Sequence, residues 1–297
     1  MRLPVTLLAA LLALAGCASA TSDPEAARSS STSASTTTTA GSSLTDPPPA
    51  TAADGVRVVE VVDGDTIRVE VAGEQESVRL IGINAPERGE CLADEATDRL
   101  RDLIGGDAVE LVTDRTDRDR YGRLLRHVEV DGVDVGAEVV RAGLALARDY
   151  PPDTTRSDEY AAAQRAAQDA GVGMWAADAC GSATSGAEVV IDAIRFDADG
   201  DDNLNLNDEW VRIANRGASA VDLTGWVLKD TSATHRYSFP DGFSLEPGAG
   251  VTVRTGCGTD SATDLHWCNQ GSAVWNNSGD TAFLLDPSGN IVDSRDG

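Results

Sequence analysis

The chain has 297 residues, with 24 lysines and arginines against 49 aspartates and glutamates, five cysteines and 4% aromatic residues. That length supports one large or two ordinary domains, and 41% apolar residues is too many for a wholly disordered chain. A net charge of −25 excludes a general nucleic-acid coating protein, which is basic overall. It leaves room for an enzyme that handles a phosphodiester at one local site. Leu3–Ala15 is the one stretch apolar enough to enter a bilayer, and it is too short to span one, so a polytopic membrane protein is excluded.

The start reads as an address. Arg2 precedes a short apolar run that ends in Leu14-Ala15-Gly16-Cys17, the pattern of a secretory signal. Those four residues resemble a bacterial lipobox, which implies a signal peptide over 1–17 and lipidation at Cys17. Residues 18–54 are almost all Ser, Thr, Ala, Pro, Gly and Asp. They bury too little apolar surface to offset their ordering entropy and read as a disordered stalk. Four cysteines remain, and in an exported chain they read as disulfides. Three pairings are open; one bridge per folded segment, Cys91–Cys180 and Cys257–Cys268, is expected. No two of them have the two-residue gap of a zinc knuckle, and three histidines without ligand spacing argue against zinc and against a histidine-based hydrolase.

Residues 55–180 open with strand-like runs at Val56–Val62, Thr66–Val71 and Ser77–Ile83, with Asp63-Gly64 and Ala72-Gly73 as turns. A helix is predicted over Glu95–Ile104, closed by Gly105-Gly106. Strands follow at Ala108–Val112 and Leu124–Val130, then helices near Val135–Ala142 and Asp158–Ala170. Five strands with about three late helices suggest a mainly β protein built on a five-stranded OB-type barrel. Residues 181–186 form a linker. Residues 187–297 are nearly helix-free by pattern, with short runs at Glu188–Phe196, Glu209–Ala214, Gly225–Lys229, Val251–Arg254 and Thr281–Leu285, and read as a β-sandwich. The net charge is −12 over 55–180 and −11 over 187–297, so neither segment is a basic grip for nucleic acid.

Three motifs carry chemistry: Asp63-Gly64-Asp65-Thr66, Arg79 through Glu87 (RLIGINAPE), and Asp119-Arg120-Tyr121-Gly122-Arg123. Asp65 and Asn84 are oxygen donors that suit a hard cation such as Ca²⁺. Glu87 is a carboxylate placed to take a proton from water. Arg79 and Arg123 offer planar forks that match phosphate oxygens. Singly, each has a bland reading as a turn, a strand-edge charge or a solvated loop. Together they form a phosphodiester-hydrolysis kit.

In this order the motifs resemble those of the staphylococcal nuclease (thermonuclease) family, over about residues 56–178. The resemblance implies an OB-fold and Ca²⁺-dependent endo- and exonuclease activity on DNA and RNA, giving 3′-phosphates. It implies Asp65, Asn84 and the Ala85 carbonyl as metal ligands, Glu87 as general base, and Arg79 and Arg123 as stabilisers of the charge on phosphorus. Asp119, Tyr121 and Tyr150 take substrate-binding positions. The family's reference enzyme has Asp where this chain has Asn84 and Thr where it has Ala85, so a weaker metal site is expected. Few cationic clusters are present, so few phosphates can be neutralised, and a preference for single-stranded substrate is expected.

Residues 188–297 resemble a lamin-tail domain, an immunoglobulin-like sandwich, through Asn207-Asp208-Glu209-Trp210-Val211, Leu223-Thr224-Gly225-Trp226, Tyr237-Ser238-Phe239-Pro240 and Val274-Trp275 through Asp280. Such a domain implies binding or positioning, with a ligand the sequence does not name. Trp210, Trp226, Trp267 and Trp275 are expected to pack rather than form a ligand cage. Asp197 through Asn203 resembles a calcium loop, but Asp202 stands where an EF-hand needs Gly. The expectation is a monomeric, extracytoplasmic nuclease, lipid-anchored at a cell membrane or secreted. The alternative is a non-catalytic surface adhesin whose barrel is a binding scaffold.

Overall fold

The computed structural model describes residues 55–106, 108–183, 188–269, 272–277 and 279–297. Cys17, the signal segment, the stalk and part of the linker lie outside the described residues. Among those described, no helix is long and apolar enough to cross a membrane.

The first segment runs β1 (Val56–Asp63), β2 (Thr66–Val71), β3 (Glu74–Leu80), β4 (Ile83–Asn84), α1 (Ala93–Ile104), β5 (Ala108–Val112), β6 (Leu124–Val130), β7 (Val133–Asp134), α2 (Val135–Arg141), β8 (Leu146–Ala147) and α3 (Ser157–Ala170). The order β3-β2-β1-β5-β6 is closed by a parallel β3–β6 pairing, Val78 opposite Leu124. The result is a closed five-stranded barrel of OB type, which removes the sheet edges. Alternation along β2 turns Ile67 and Val69 into the barrel core, where they meet Val78, Leu80 and Val128. Helix α1 lays Ala96, Leu100 and Ile104 on that core and stops at Gly105, which adopts a left-handed conformation. Asp134 caps α2 by accepting from the Ala137 amide at 3.0 Å, and also accepts from the Tyr160 hydroxyl at 2.8 Å, tying α3 to α2.

The expected strand Ser77–Ile83 is a correction. Strand β3 ends at Leu80, and the chain bends at Gly82 before β4. Gly82 has φ +83°, and a Cβ there would sit 2.2 Å from the Tyr160 ring, so only glycine allows the bend. The bend moves Asn84 out of the barrel ladder and pairs it with Leu146 of β8.

The second segment runs β9 (Val189–Arg195), β10 (Trp210–Asn215), β11 (Val221–Asp222), β12 (Val227–Lys229), β13 (Arg236–Ser238), β14 (Ser244–Leu245), β15 (Gly250–Arg254), β16 (Asp264–His266), β17 (Thr281–Leu285) and β18 (Ile291–Asp296). One sheet has the order β16-β15-β10-β9 and the other β13-β12-β17-β18. Between them Ile191, Val211, Ile213, Leu228, Val253 and Leu284 form one core, the arrangement of an immunoglobulin-like sandwich. Trp226 and Trp275 are buried in it, and Trp267 meets Trp275 edge-on at 6.0 Å, so these tryptophans pack. Strands β11, β13, β14, β16 and β18 were not expected from the pattern.

Disulfides join Cys91 to Cys180 and Cys257 to Cys268. The acidic loop is organised by its own side chains: Asp201 accepts from the Asn203 amide, and the Asn277 amide bridges Asp197 and Asp202. Among the described residues no three carboxylate, imidazole or thiol groups converge on one point.

Candidate active site

The site begins at the β1–β2 turn. Gly64 lies so close to its surroundings that a Cβ would stand 2.6 Å from the Ala96 Cβ and 2.7 Å from that of Ala85. Glycine therefore lets the turn sit between α1 and the loop after β4. Strand register then sets Thr66 opposite Arg79, and the Leu80 amide donates to the Asp65 carbonyl at 2.9 Å. The bend at Gly82 brings the chain back, so the Ala85 amide donates to Asp65 Oδ2 at 2.9 Å.

Arg79 is the hub of this cluster. Its Nη2 is 2.8 Å from Asp65 Oδ2 and 3.2 Å from Asn84 Oδ1. The guanidinium nitrogen thus touches the two side-chain oxygens that the sequence marks for a cation. Burial pushes the Asp65 carboxyl up to about 6, Arg79 pulls it back, and the Asp63 charge raises it again. A buried carboxylate still short of positive charge, beside an amide oxygen, is an oxygen donor set that fits a hard cation. Since the set holds one carboxylate and one amide oxygen, the remaining ligands would be main-chain oxygens, such as that of Ala85, and water.

The other expected residues flank this cluster. Glu87 stands on the following loop with an exposed side chain, and its amide donates to Glu90 Oε2 at 2.9 Å. Arg123 pairs with Asp119, Nε to Oδ2 at 2.7 Å. Partial burial works against the Asp119 charge, but Arg123 and two backbone amides outweigh it and hold the carboxyl below its usual range. Tyr121 is exposed and stacks under Arg120 at 4.8 Å and Arg123 at 5.7 Å. Tyr150 stacks under Arg148 at 5.0 Å. Among the described residues no hydrogen bond or ion pair links the side chains of Glu87, Arg123, Tyr121 or Tyr150 to the Asp65–Arg79–Asn84 cluster.

Sequence reasoning missed the sandwich's share of the site. Asn84 Nδ2 donates to the Thr231 carbonyl at 3.1 Å, and Arg236 forms an ion pair with Glu90, the acid that holds the Glu87 amide. A main-chain carbonyl leaves no mark in a sequence. Lys229 does, as the chain's single lysine, and it lines the same junction.

Residues 77–177 match the model of the family described as "Staphylococcal nuclease homologue", and residues 182–296 match that of the Lamin Tail Domain. Thermonuclease of Staphylococcus hyicus is 31% identical over 125 residues, which cover 40% of this chain and 74% of that protein. The chain belongs to the staphylococcal nuclease family. This nuclease-family segment is followed directly by the lamin-tail domain. SPbeta prophage-derived endonuclease YokF of Bacillus subtilis (strain 168) is 34% identical over 128 residues, 40% of this chain and 43% of that protein. Endonuclease YncB of the same strain is 32% identical over 128 residues, 40% of this chain and 61% of that protein. The chain thus spans less than half of YokF and about three quarters of the Staphylococcus hyicus protein.

Proposed function

We propose that this chain is an exported nuclease that hydrolyses phosphodiester bonds of DNA and RNA in a Ca²⁺-dependent reaction and leaves 3′-phosphates. The observation that carries the reading is the contact of Arg79 Nη2 with both Asp65 Oδ2 and Asn84 Oδ1. It gathers a carboxylate, an amide oxygen and a phosphate-binding guanidinium at one point, in a chain of the nuclease family. Asp65, Asn84 and the Ala85 carbonyl would hold Ca²⁺. When bound, the ion supplies Lewis-acid polarisation of a phosphoryl oxygen and offsets the negative charge that accumulates there.

The chain's own groups do the rest. Arg79 binds a non-bridging phosphate oxygen, and its planar fork fixes the orientation of the phosphate. Arg123, kept in place by Asp119, stabilises charge that grows as phosphorus becomes five-coordinate. Glu87 accepts the proton of the attacking water as its oxygen bonds to phosphorus and the P–O5′ bond breaks, the departing 5′ oxygen taking a proton from solvent. Tyr121 and Tyr150 offer ring faces at the rim for unstacked bases, which favours single-stranded substrate. The low density of cationic groups points the same way, because few phosphates can be neutralised. Lipidation at Cys17, a stalk over 18–54 and a monomeric folded part complete the proposal, and place the enzyme outside the cytoplasm at a membrane surface.

The test is hydrolysis of heat-denatured DNA by the full chain in millimolar Ca²⁺ or in EGTA, beside Glu87→Gln. Ca²⁺-dependent cleavage that disappears in the variant is expected. Folded protein that cleaves nothing at any Ca²⁺ concentration would leave the barrel as a binding scaffold, with the Asn84–Thr231 contact as the reason its metal site is closed.

A further inference from the structure

Lys229 is the only lysine in the chain, and its position is costly. It ends β12, whose alternation buries Leu228 in the sandwich core while Val227 and Lys229 face the nuclease segment. Both line a cavity of about 300 Å³ between the two segments. Asn84 and Ala85 line the same cavity. Strand register places Arg236 directly opposite Lys229 on one side and Phe283 opposite it on the other. Arg236, Lys229 and Phe283 therefore form a row across the sheet along the cavity.

Like charges set opposite one another destabilise an antiparallel pair. Arg236 is neutralised by Glu90. The Lys229 side chain makes no ion pair or hydrogen bond with any described residue. The carboxylates nearest it are already engaged. Glu90 serves Arg236 and the Glu87 amide, and Asp230 accepts from His235 and Ser232. Burial, reinforced by the Arg236 charge, pushes the Lys229 ammonium below its ordinary range despite the pull of Glu90 and Asp230. A half-buried cation without a partner, beside a second cation, marks a place that can take an anion.

We propose that this cavity is a nucleotide subsite in which Lys229, from the lamin-tail domain, binds the backbone phosphate next to the one hydrolysed. The base of that nucleotide rests on the apolar wall formed by Leu146, Met174 and Phe283. The cavity is at the low end of ligand-pocket sizes, which suits one nucleotide and not a duplex end. Its adjacency to Asn84 and Ala85 makes it continuous with the metal-facing cluster, so the assignment rests on the nuclease reading of that cluster. The lamin-tail domain is then part of the substrate site and not only a neighbour.

The test is equilibrium binding of a fluorescent single-stranded octanucleotide to the full chain carrying Glu87→Gln, which reads binding without cleavage. It is compared with the same chain carrying Lys229→Met or Lys229→Arg in addition, over a range of salt. Lys229→Met is expected to weaken binding roughly tenfold and to lower the salt slope by about 0.7, the value for one phosphate contact on a single strand. Lys229→Arg is expected to restore both. Because methionine removes a half-buried, unpaired charge at similar volume, the Lys229→Met protein should melt no lower than its parent, which separates lost contact from lost fold. If the parent binds no oligonucleotide, the nuclease reading fails and the subsite with it. If the parent binds and Lys229→Met binds equally with the same slope, the subsite alone is overturned. If inorganic phosphate binds in a Lys229-dependent manner while oligonucleotide affinity is unchanged, the cavity holds a free anion and the nucleotide assignment is overturned.

Discussion

Asn84 Nδ2 stands 3.1 Å from the main-chain oxygen of Thr231, while Oδ1 of the same amide accepts from Arg79. The two partners fix which way the amide faces, because one offers a donor and the other an acceptor. One side chain therefore belongs at once to the Asp65–Arg79–Asn84 cluster and to the contact with the lamin-tail domain. Aspartate could serve the first role but not the second, since it has no hydrogen to give the Thr231 carbonyl. Asparagine here follows from the presence of the second domain.

Asn84→Asp separates the two roles. The buried carboxylate gains charge for Ca²⁺ but faces a carbonyl oxygen without a proton between them. Losing the hydrogen bond and leaving that oxygen unsatisfied should cost about 1–3 kcal/mol. The expected result is a lower melting temperature in EGTA together with tighter Ca²⁺ binding by calorimetry. Unchanged stability would mean that the Thr231 contact contributes nothing to holding the domains.

The Cys91–Cys180 bridge spans 89 residues of sequence and ties the loop after Glu87 to the end of the nuclease segment. On chain-entropy grounds a closed loop of that length contributes about 4–5 kcal/mol. Replacing both cysteines with serine should lower stability by that order in urea unfolding, whereas replacing Cys257 and Cys268, only 11 apart, should cost less. Equal losses would contradict the loop-length argument.

Much of this was legible in the sequence, and what was not has a physical reason. Period-two runs such as Thr66–Val71 and Ala108–Val112 gave their strands to the residue, because one face is buried and the turns carry glycine. The break at Gly82 did not show. Ile81 and Ile83 are both apolar, and what stops the strand is the Tyr160 ring, which is distant in sequence. Strand β18 reads IVDSRD and is largely half-exposed, so it lacks the apolar alternation that marks a strand. Asp65, Arg79 and Asn84 were found because their types and spacing carry chemistry. The sandwich's part was hidden, because the Thr231 contact is main-chain and the Lys229–Arg236 opposition exists only once the register is known.

Glu209 gives the lamin-tail domain a pH lever. It is fully buried, and its Oε1 hydrogen-bonds to no described residue, as is true of Thr255 Oγ1. Burial pushes its carboxyl up to about 7, with the Val274 amide opposing and the Asp202 charge adding. The folded state thus holds this proton more tightly than the unfolded chain, whose glutamate titrates near 4.5. Its contribution to stability is complete below pH about 4.5 and is lost as pH rises to about 7. At about 1.4 kcal/mol per pH unit, the lever is on the order of 3 kcal/mol. Glu209→Gln, which does not ionise, should remove that slope. The difference in unfolding free energy between parent and variant, measured from pH 4.5 to 8, should shift in the variant's favour as pH rises. A difference that stays flat would mean Glu209 ionises without cost.

Arg79 tests the cluster it forms with Asp65 and Asn84. Its side chain and that of Asp65 are about nine-tenths buried, and removing one partner of a buried pair leaves an uncompensated charge worth about 3–5 kcal/mol. Arg79→Ala should therefore melt well below the parent in EGTA. It should also lower turnover by about 10²–10³, the usual cost of losing a group that stabilises transition-state charge. The two losses should respond differently to calcium. Because Arg79 Nη2 touches the same two oxygens that would hold the ion, Ca²⁺ can replace its charge in the fold but not its fork on the phosphate. Millimolar Ca²⁺ should then raise the melting temperature of Arg79→Ala by more than it raises the parent's, while turnover stays low. Arg79→Lys, with the charge but not the planar fork, should be nearly as stable as the parent and still slow. If Ca²⁺ stabilises Arg79→Ala and the parent equally, the ion binds away from Asp65 and Asn84, and the metal site has to be sought elsewhere in the chain.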